Sequence, residues 1–292
     1  MSIERAQCGD VEIAFERFGS PLDPTVVLVM GLATQMIAWH DDFCAMIADE
    51  GFQVVRFDNR DIGLSTHFDE AGMPDLTPLM SGGLIEEAPY LLADMADDTM
   101  ALVDALGIAR VHVVGASMGG MIAQEVALRH PQRVLSLTSI FSTPGPRIGA
   151  PKPEAAAALL SPPATTEEEA GERAVAVYRV IGSPGYPLDE AGLTARARES
   201  FRRSNDPAGP MRQLAAIHVS GDRTERLHDL RVPTLVLHGE DDPLVQPEGG
   251  RATAEAVPGS RLVTFPGMGH DLPLALWPEI VKEIVAHARA AD

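Results

Sequence analysis

The apolar run Val111-His112-Val113-Val114 leads directly into Gly115-Ala116-Ser117-Met118-Gly119, and an amphipathic stretch starts immediately behind it. No other segment limits the fold so tightly. A β-branched run of this kind predicts a buried strand, and Met121, Ile122, Val126 and Leu128 return at helical spacing after it. A strand that becomes a helix across a single serine must bend sharply there. The flanking positions then have no room for a β-carbon, which is why glycine holds both. Such a bend pushes the Ser117 hydroxyl outward and points the N-terminus of the new helix, with its free N–H groups and partial positive charge, towards it. The Met118 N–H becomes a donor for an oxyanion formed on a substrate. Gly-x-Ser-x-Gly by itself is a common accident. The strand before it, the helix after it and the absence of proline until Pro131 make Ser117 a candidate nucleophile.

Similar apolar runs recur along the chain at Thr25–Met30, Phe52–Phe57, Val134–Phe141 and Thr234–His238, with a shorter one at Arg261–Phe265. Helical patterns fall between them, at Trp39–Asp49, Leu91–Leu106, Glu248–Ala256 and a last helix ending near Arg289. Strands alternating with helices predict an α/β fold, a mostly parallel central sheet flanked by helices. Val11–Glu16 alternates apolar and polar residues and predicts the edge strand of an antiparallel hairpin. Residues His67 to Pro89 carry several Gly and Pro and predict a long loop with short helical turns. From Pro144 the composition turns to Ala, Arg, Glu and Pro, with helical pieces at Glu167–Ile181, Asp189–Arg203 and Pro210–Val219 and no strand. The expected organisation is a core of residues 1–143 and 230–292 and a helical cap of residues 144–229. In such sheets ligands bind at the carboxyl ends of the strands, beneath the cap.

Composition narrows the function classes. A formal charge of −19 disfavours nucleic acid and anionic membrane surfaces, both of which attract Lys and Arg. The two cysteines, Cys8 and Cys44, fall in no metal-binding spacing and are expected to be reduced thiols. The first residues carry no apolar export segment, and no run is long enough to cross a bilayer, so a cytoplasmic protein is expected. No metal and no cofactor is expected.

A serine hydroxyl needs a base, and the base needs an orienting group. Of nine histidines, His270 follows the last strand within Pro266-Gly267-Met268-Gly269-His270, where two glycines let the chain turn the ring towards the strand ends. His238 stands at a strand end without an obvious acid. The orienting carboxylate should come from another strand end, and Glu240, Asp241 and Asp242 follow Thr234–His238. Asp242 is preferred because Pro243 stiffens the turn behind it. A second oxyanion donor is expected from the turn after Met30, where Gly31 places the Leu32 N–H opposite that of Met118. Gly31 and Met268 are expected to touch substrate. Met30, Met36, Met73, Met80, Met118 and Met268 all fall in or near strand-end turns, either as ordinary packing or as the lining of an apolar pocket.

With these residues in hand, the chain resembles the α/β-hydrolase superfamily over almost its full length. Within it the chain is similar to the capped esterases related to aclacinomycin methylesterase. The matching pieces are Leu28–Gly31, Arg56–Ser65, His112–Gly119, Val232–Val236, Asp241–Pro243 and Pro266–His270. The resemblance implies Ser117 as nucleophile, Asp242 as acid, His270 as base, Leu32 and Met118 as oxyanion donors, and a structural role for the Asp58/Arg60 turn. It departs at Met30-Gly31, where many relatives have His-Gly, and at Arg60-Asp61, where many have Arg-Gly. The activity implied is hydrolysis of small to medium, mainly apolar carboxylic esters through an acyl-enzyme. The same three side chains also serve lactone, thioester, C–C bond or peptide hydrolysis, or perhydrolysis of the haloperoxidase kind. A binding protein without catalysis is a further alternative.

Overall fold

The computed structural model of the chain describes residues 2–80, 83 and 85–291. Its strands are β1 (Glu4–Cys8), β2 (Val11–Phe18), β3 (Thr25–Val29), β4 (Gln53–Phe57), β5 (Val111–Ala116), β6 (Val134–Ile140), β7 (Thr234–Gly239) and β8 (Arg261–Phe265). Its helices are α1 (Asp41–Ala48), α2 (Thr77–Met80), α3 (Leu92–Ala105), α4 (Met118–Arg129), α5 (Pro153–Leu159), α6 (Glu167–Ile181), α7 (Glu190–Arg203), α8 (Ala208–Val219), α9 (Thr224–Leu227), α10 (Pro247–Ala256) and α11 (Trp277–Ala291).

All eight strands join one sheet in the order β1-β2-β4-β3-β5-β6-β7-β8. β1 with β2 and β2 with β4 are antiparallel, and every pairing from β4 onward is parallel. Val11–Glu16 is therefore not an edge, as its alternation suggested. The outer position belongs to β1, whose sequence Glu4-Arg5-Ala6-Gln7-Cys8 is too polar to read as a strand. An outermost strand needs few apolar residues, and charge on it discourages pairing with other chains.

Alternate residues of each parallel strand face opposite sides of the sheet. Val27, Val29, Val55, Phe57, Val111 and Val113 pack in one core cluster with residues of α3 and α4, among them Leu102, Ile122 and Val126. Val26, Leu28, Val54, Val114, Leu235 and Leu237 pack in a second, with Phe43 and Ile47 of α1 and Ile280 and Ile284 of α11. β3 sits between β4 and β5, so the chain leaves β3 to one side and returns on the other, and the carboxyl ends of β3 and β5 mark the switch point at which open sheets of this kind bind ligands.

Between β6 and β7 the chain makes five helices, α5 to α9, and no strand among the described residues. α5 and α9 are the two that the sequence reading did not anticipate; α9 spans four residues and α5 seven. The long segment before α3 contains one 3₁₀ turn, Asp69–Ala71, and α2; residues 81, 82 and 84 of that segment lie outside the described ones. Among the described residues no helix is long and apolar enough to cross a membrane.

Candidate active site

Ser117 lies between the last residue of β5 and the first of α4, with φ +56° and ψ −122°. Few non-glycine residues adopt this backbone, and the surroundings hold it in place. The Ser117 N–H donates to Ile140 O at 2.9 Å, and its carbonyl accepts from Ser142 Oγ at 2.7 Å and Gly120 N at 2.9 Å. A β-carbon on Gly115 would meet the Gly119 carbonyl, and one on Gly119 would meet the Val29 carbonyl, so only glycine lets strand and helix approach this closely. Met118 is fully buried, and its N–H has no protein partner among the described residues.

The loop after β8 brings His270 to Ser117. Its Nε2 stands 2.9 Å from Ser117 Oγ, and its Nδ1 stands 2.7 Å from Asp242 Oδ2, across 153 and 28 residues of chain. Asp242 is 1% exposed, and its other oxygen, Oδ1, accepts from Leu244 N at 2.8 Å and Val245 N at 2.9 Å. The carboxylate is thus anchored through one oxygen and faces the imidazole with the other. Asp241, the alternative considered from sequence, instead accepts from Gly267 N at 2.9 Å.

The end of α6 and the connection that follows it reach the same loop. The His270 N–H donates to Ile181 O at 2.7 Å, Gly185 N to Gly267 O at 2.9 Å, and Gly269 N to Ser183 Oγ at 2.9 Å. Ser183 Oγ in turn donates to Asp271, whose pKa burial raises above the usual carboxylate range. Phe141, at the end of β6, tilts its ring over His270 with 4.7 Å between centroids. Neither Ser183 nor Phe141 could have been picked from local sequence, because each matters only through a contact with a distant segment.

The turn after β3 faces the serine. A β-carbon built on Gly31 would lie 3.1 Å from Ser117 Cβ and 3.6 Å from its Oγ, so the backbone at Gly31 runs directly past the hydroxyl. The Leu32 N–H, like that of Met118, has no protein partner among the described residues. Two unpaired N–H groups therefore flank Ser117 from β3 and from α4. Met268 is fully buried within the second core cluster, where it packs with Phe265 and Leu237. Met30, Met36 and Met118 are buried too, Met73 is 60% exposed, and the side chain of Met80 lies outside the described residues.

His238 has its acid after all, 3.7 Å from Asp242 Oδ2. Its Nε2, however, donates to Val245 O at 2.8 Å, and burial pulls its pKa down, so it packs as a neutral ring beside the carboxylate. Asp58 accepts from Met36 N at 2.7 Å, Leu64 N at 3.0 Å and Arg203 at 2.6 Å, and Arg60 pairs with Asp98 at 2.6 Å. Both hold loops together. Asp61 has φ +67°, the left-handed backbone that favours the glycine many relatives carry there. Among the described residues one group, Asp61, His67 and Asp206, could gather ligand atoms around a metal ion. Arg212 already pairs with both carboxylates, at 2.7 and 2.9 Å, and His67 meets Asp206 at 2.9 Å.

The model of the alpha/beta hydrolase fold family matches residues 24–274. The chain is an α/β-hydrolase. Rhodomycin D methylesterase DauP of Streptomyces sp. (strain C5) is 30% identical to it over 97% of this chain and 96% of its own length. Rhodomycin D methylesterase DnrP of Streptomyces peucetius is 29% identical over the same shares. Among solved structures, the enol-lactonase from Burkholderia xenovorans LB400 aligns with a TM-score of 0.76 and 25% identity, covering 98% of this α/β-hydrolase and 100% of that chain.

Proposed function

We propose that the chain hydrolyses carboxylic esters, with Ser117 as nucleophile, His270 as general base and acid, Asp242 as the group that orients His270, and the Leu32 and Met118 N–H groups as oxyanion donors. The observation that carries this reading is the imidazole of His270 bridging Ser117 Oγ at 2.9 Å and Asp242 at 2.7 Å. Full-length similarity to two methylesterases supports the bond class.

Ser117 Oγ attacks the ester carbonyl carbon as its proton passes to His270 Nε2. The carbonyl electrons move to oxygen, which the two N–H groups hold. Collapse expels the alcohol, which takes the proton from Nε2. Water then attacks the acyl-serine, gives a proton to Nε2, and the acid leaves as that proton returns to Ser117. Asp242 keeps Nδ1 protonated and stabilises the imidazolium that forms twice per turnover. The substrate is a small to medium, mainly apolar ester, and Gly31, beside the hydroxyl, is the backbone that it passes. The free, buried thiols fit a reducing compartment such as the cytoplasm.

The test is a fluorophosphonate probe together with a panel of p-nitrophenyl and methyl esters. The wild type should label and turn over, Ser117→Ala should do neither, and Asp242→Asn should lose about 10⁴-fold in kcat. Unchanged turnover in Ser117→Ala would end this reading.

A further inference from the structure

The Leu32 N–H belongs to the peptide between Gly31 and Leu32, which no side chain is seen to hold. The peptides on either side of it are both held. On the near side, Asn59 Nδ2 donates to Met30 O at 2.9 Å. On the far side, the Ala33 N–H donates to Gln213 Oε1 at 3.1 Å, and Thr34 Oγ1 donates to Leu32 O at 2.9 Å. Gln213 is fully buried, and its Nε2 donates to Arg60 O at 2.8 Å. A main-chain donor at one end and a main-chain acceptor at the other fix which way round the amide sits. It ties the turn after β3 to the turn after β4. α8, which carries Gln213, lies against that second turn so closely that a β-carbon on Gly209 would meet the Asp61 carbonyl.

We infer that Gln213, contributed from the helical segment between β6 and β7, is a positioning residue that aims the Leu32 N–H at the oxyanion. Ala33 has φ +61°, a conformation that alanine holds reluctantly. Without the Gln213 carbonyl, the Leu32–Ala33 peptide keeps only its bond from Thr34, and the strained turn can relax so that the adjoining Gly31–Leu32 peptide shifts and carries the Leu32 N–H off its aim. The substrate itself need not touch Gln213. The cost should therefore appear in the tetrahedral states and not in ground-state binding. This inference rests on Leu32 being an oxyanion donor, as proposed above.

The experiment compares Gln213→Leu, Gln213→Glu and Thr34→Val in the full-length protein. It reads kcat and KM on p-nitrophenyl butyrate and the affinity for phenylboronic acid. Ser117 Oγ adds to the trigonal boron as its proton passes to His270, which leaves a tetrahedral boronate with one oxygen in the hole. Gln213→Leu should lower kcat roughly 10- to 100-fold, less than outright loss of a donor, with KM within about twofold. Boronate affinity should fall by the same factor, while affinity for butyrate, a ground-state competitor, should hold. Gln213→Glu keeps the acceptor for Ala33 but sets its other oxygen against the Arg60 carbonyl, so its kcat should fall between those of wild type and Gln213→Leu. Thr34→Val, at a half-buried position that should fold normally, should shift kcat and boronate affinity the same way by a smaller factor. Wild-type kcat in folded Gln213→Leu would overturn the inference, as would a loss of kcat with boronate affinity intact. If Gln213→Leu does not fold, unchanged boronate affinity in Thr34→Val overturns it, and a parallel fall supports it. Ser117→Ala separates the two levels. Activity surviving in it defeats the proposed function itself, whereas inactive Ser117→Ala with wild-type-like Gln213→Leu defeats only the positioning role.

Discussion

Arg212 grips Asp61 through two hydrogen bonds, Nε to Oδ2 at 2.9 Å and Nη2 to Oδ1 at 2.7 Å, with both side chains shut off from solvent. Asp206 adds a third contact at 2.9 Å. Removing one member of such a pair strands the other as an uncompensated buried charge, which typically costs about 3–5 kcal/mol. Arg212→Met should lower unfolding free energy by that order in urea. Arg212→Lys should recover part of it, since lysine restores the charge but not the two-pronged geometry. An unchanged urea midpoint in Arg212→Met would show that the pair contributes nothing net.

Ser117 offers a separation of chemistry from backbone strain. Ser117→Ala and Ser117→Gly should both abolish ester turnover, since each lacks the hydroxyl. They should differ in stability, because φ +56° suits glycine and penalises any β-carbon. Ser117→Gly should unfold about 1–2 kcal/mol later than Ser117→Ala. Equal midpoints for the two variants would argue that the turn is unstrained.

Both cysteines should be silent in the native protein. Burial pushes the Cys44 thiol up to about 12 and, with help from Asp98, the Cys8 thiol up to about 11. At pH 8 roughly one Cys8 thiol in a thousand is then ionised, and fewer of Cys44. Ellman's reagent should find almost no thiol in the folded chain within minutes and both after urea is added. Alkylating agents should leave ester hydrolysis untouched. Fast reaction in the folded state, or inactivation by alkylation, would contradict this.

His67 should give stability a pH dependence. Its Nδ1 meets Asp206 at 2.9 Å and its Nε2 meets Gly63 O at 3.1 Å. Burial draws its pKa down, but the bonds to Asp206 and Gly63 more than offset that, and the net shift is upward from 6.5. The folded state therefore holds this proton more tightly than the unfolded one. The stabilisation is complete below about pH 6.5, the unfolded value, and is lost as pH rises through the folded pKa. Urea midpoints of wild type and His67→Gln should differ most at pH 6 and converge towards pH 9. A gap that widens with pH would reverse the sign and rule this out.

Much of the architecture was readable because the signals were local. β3, β4, β5 and β7 are apolar runs without charged interruptions apart from Arg56, and α6 begins at Glu167 and ends at Ile181, as its periodicity required. Ser117, Asp242 and His270 could be selected because each follows a strand in a turn with its own punctuation of Gly or Pro, and the structure brings the three within hydrogen-bonding reach. β1 was hidden because an outer strand can be polar. Gln213 and Ser183 were hidden for another reason. Gln213 acts on Ala33 across 180 residues, and Ser183 acts on Gly269 across 86, so nothing adjacent in sequence marks either one. Met268 stands out in the sequence because it falls in a strand-end turn, and in the structure it is fully buried in the second core cluster.

The bonds from Ile181, Ser183 and Gly185 to the loop that bears His270 have a practical consequence for engineering. Anyone who replaces the helices between β6 and β7 with those of a relative, hoping to exchange only selectivity, also removes the scaffolding that keeps the imidazole in register. A graft that retains those three residues on the recipient's backbone should preserve turnover better than a transplant cut at the strand ends.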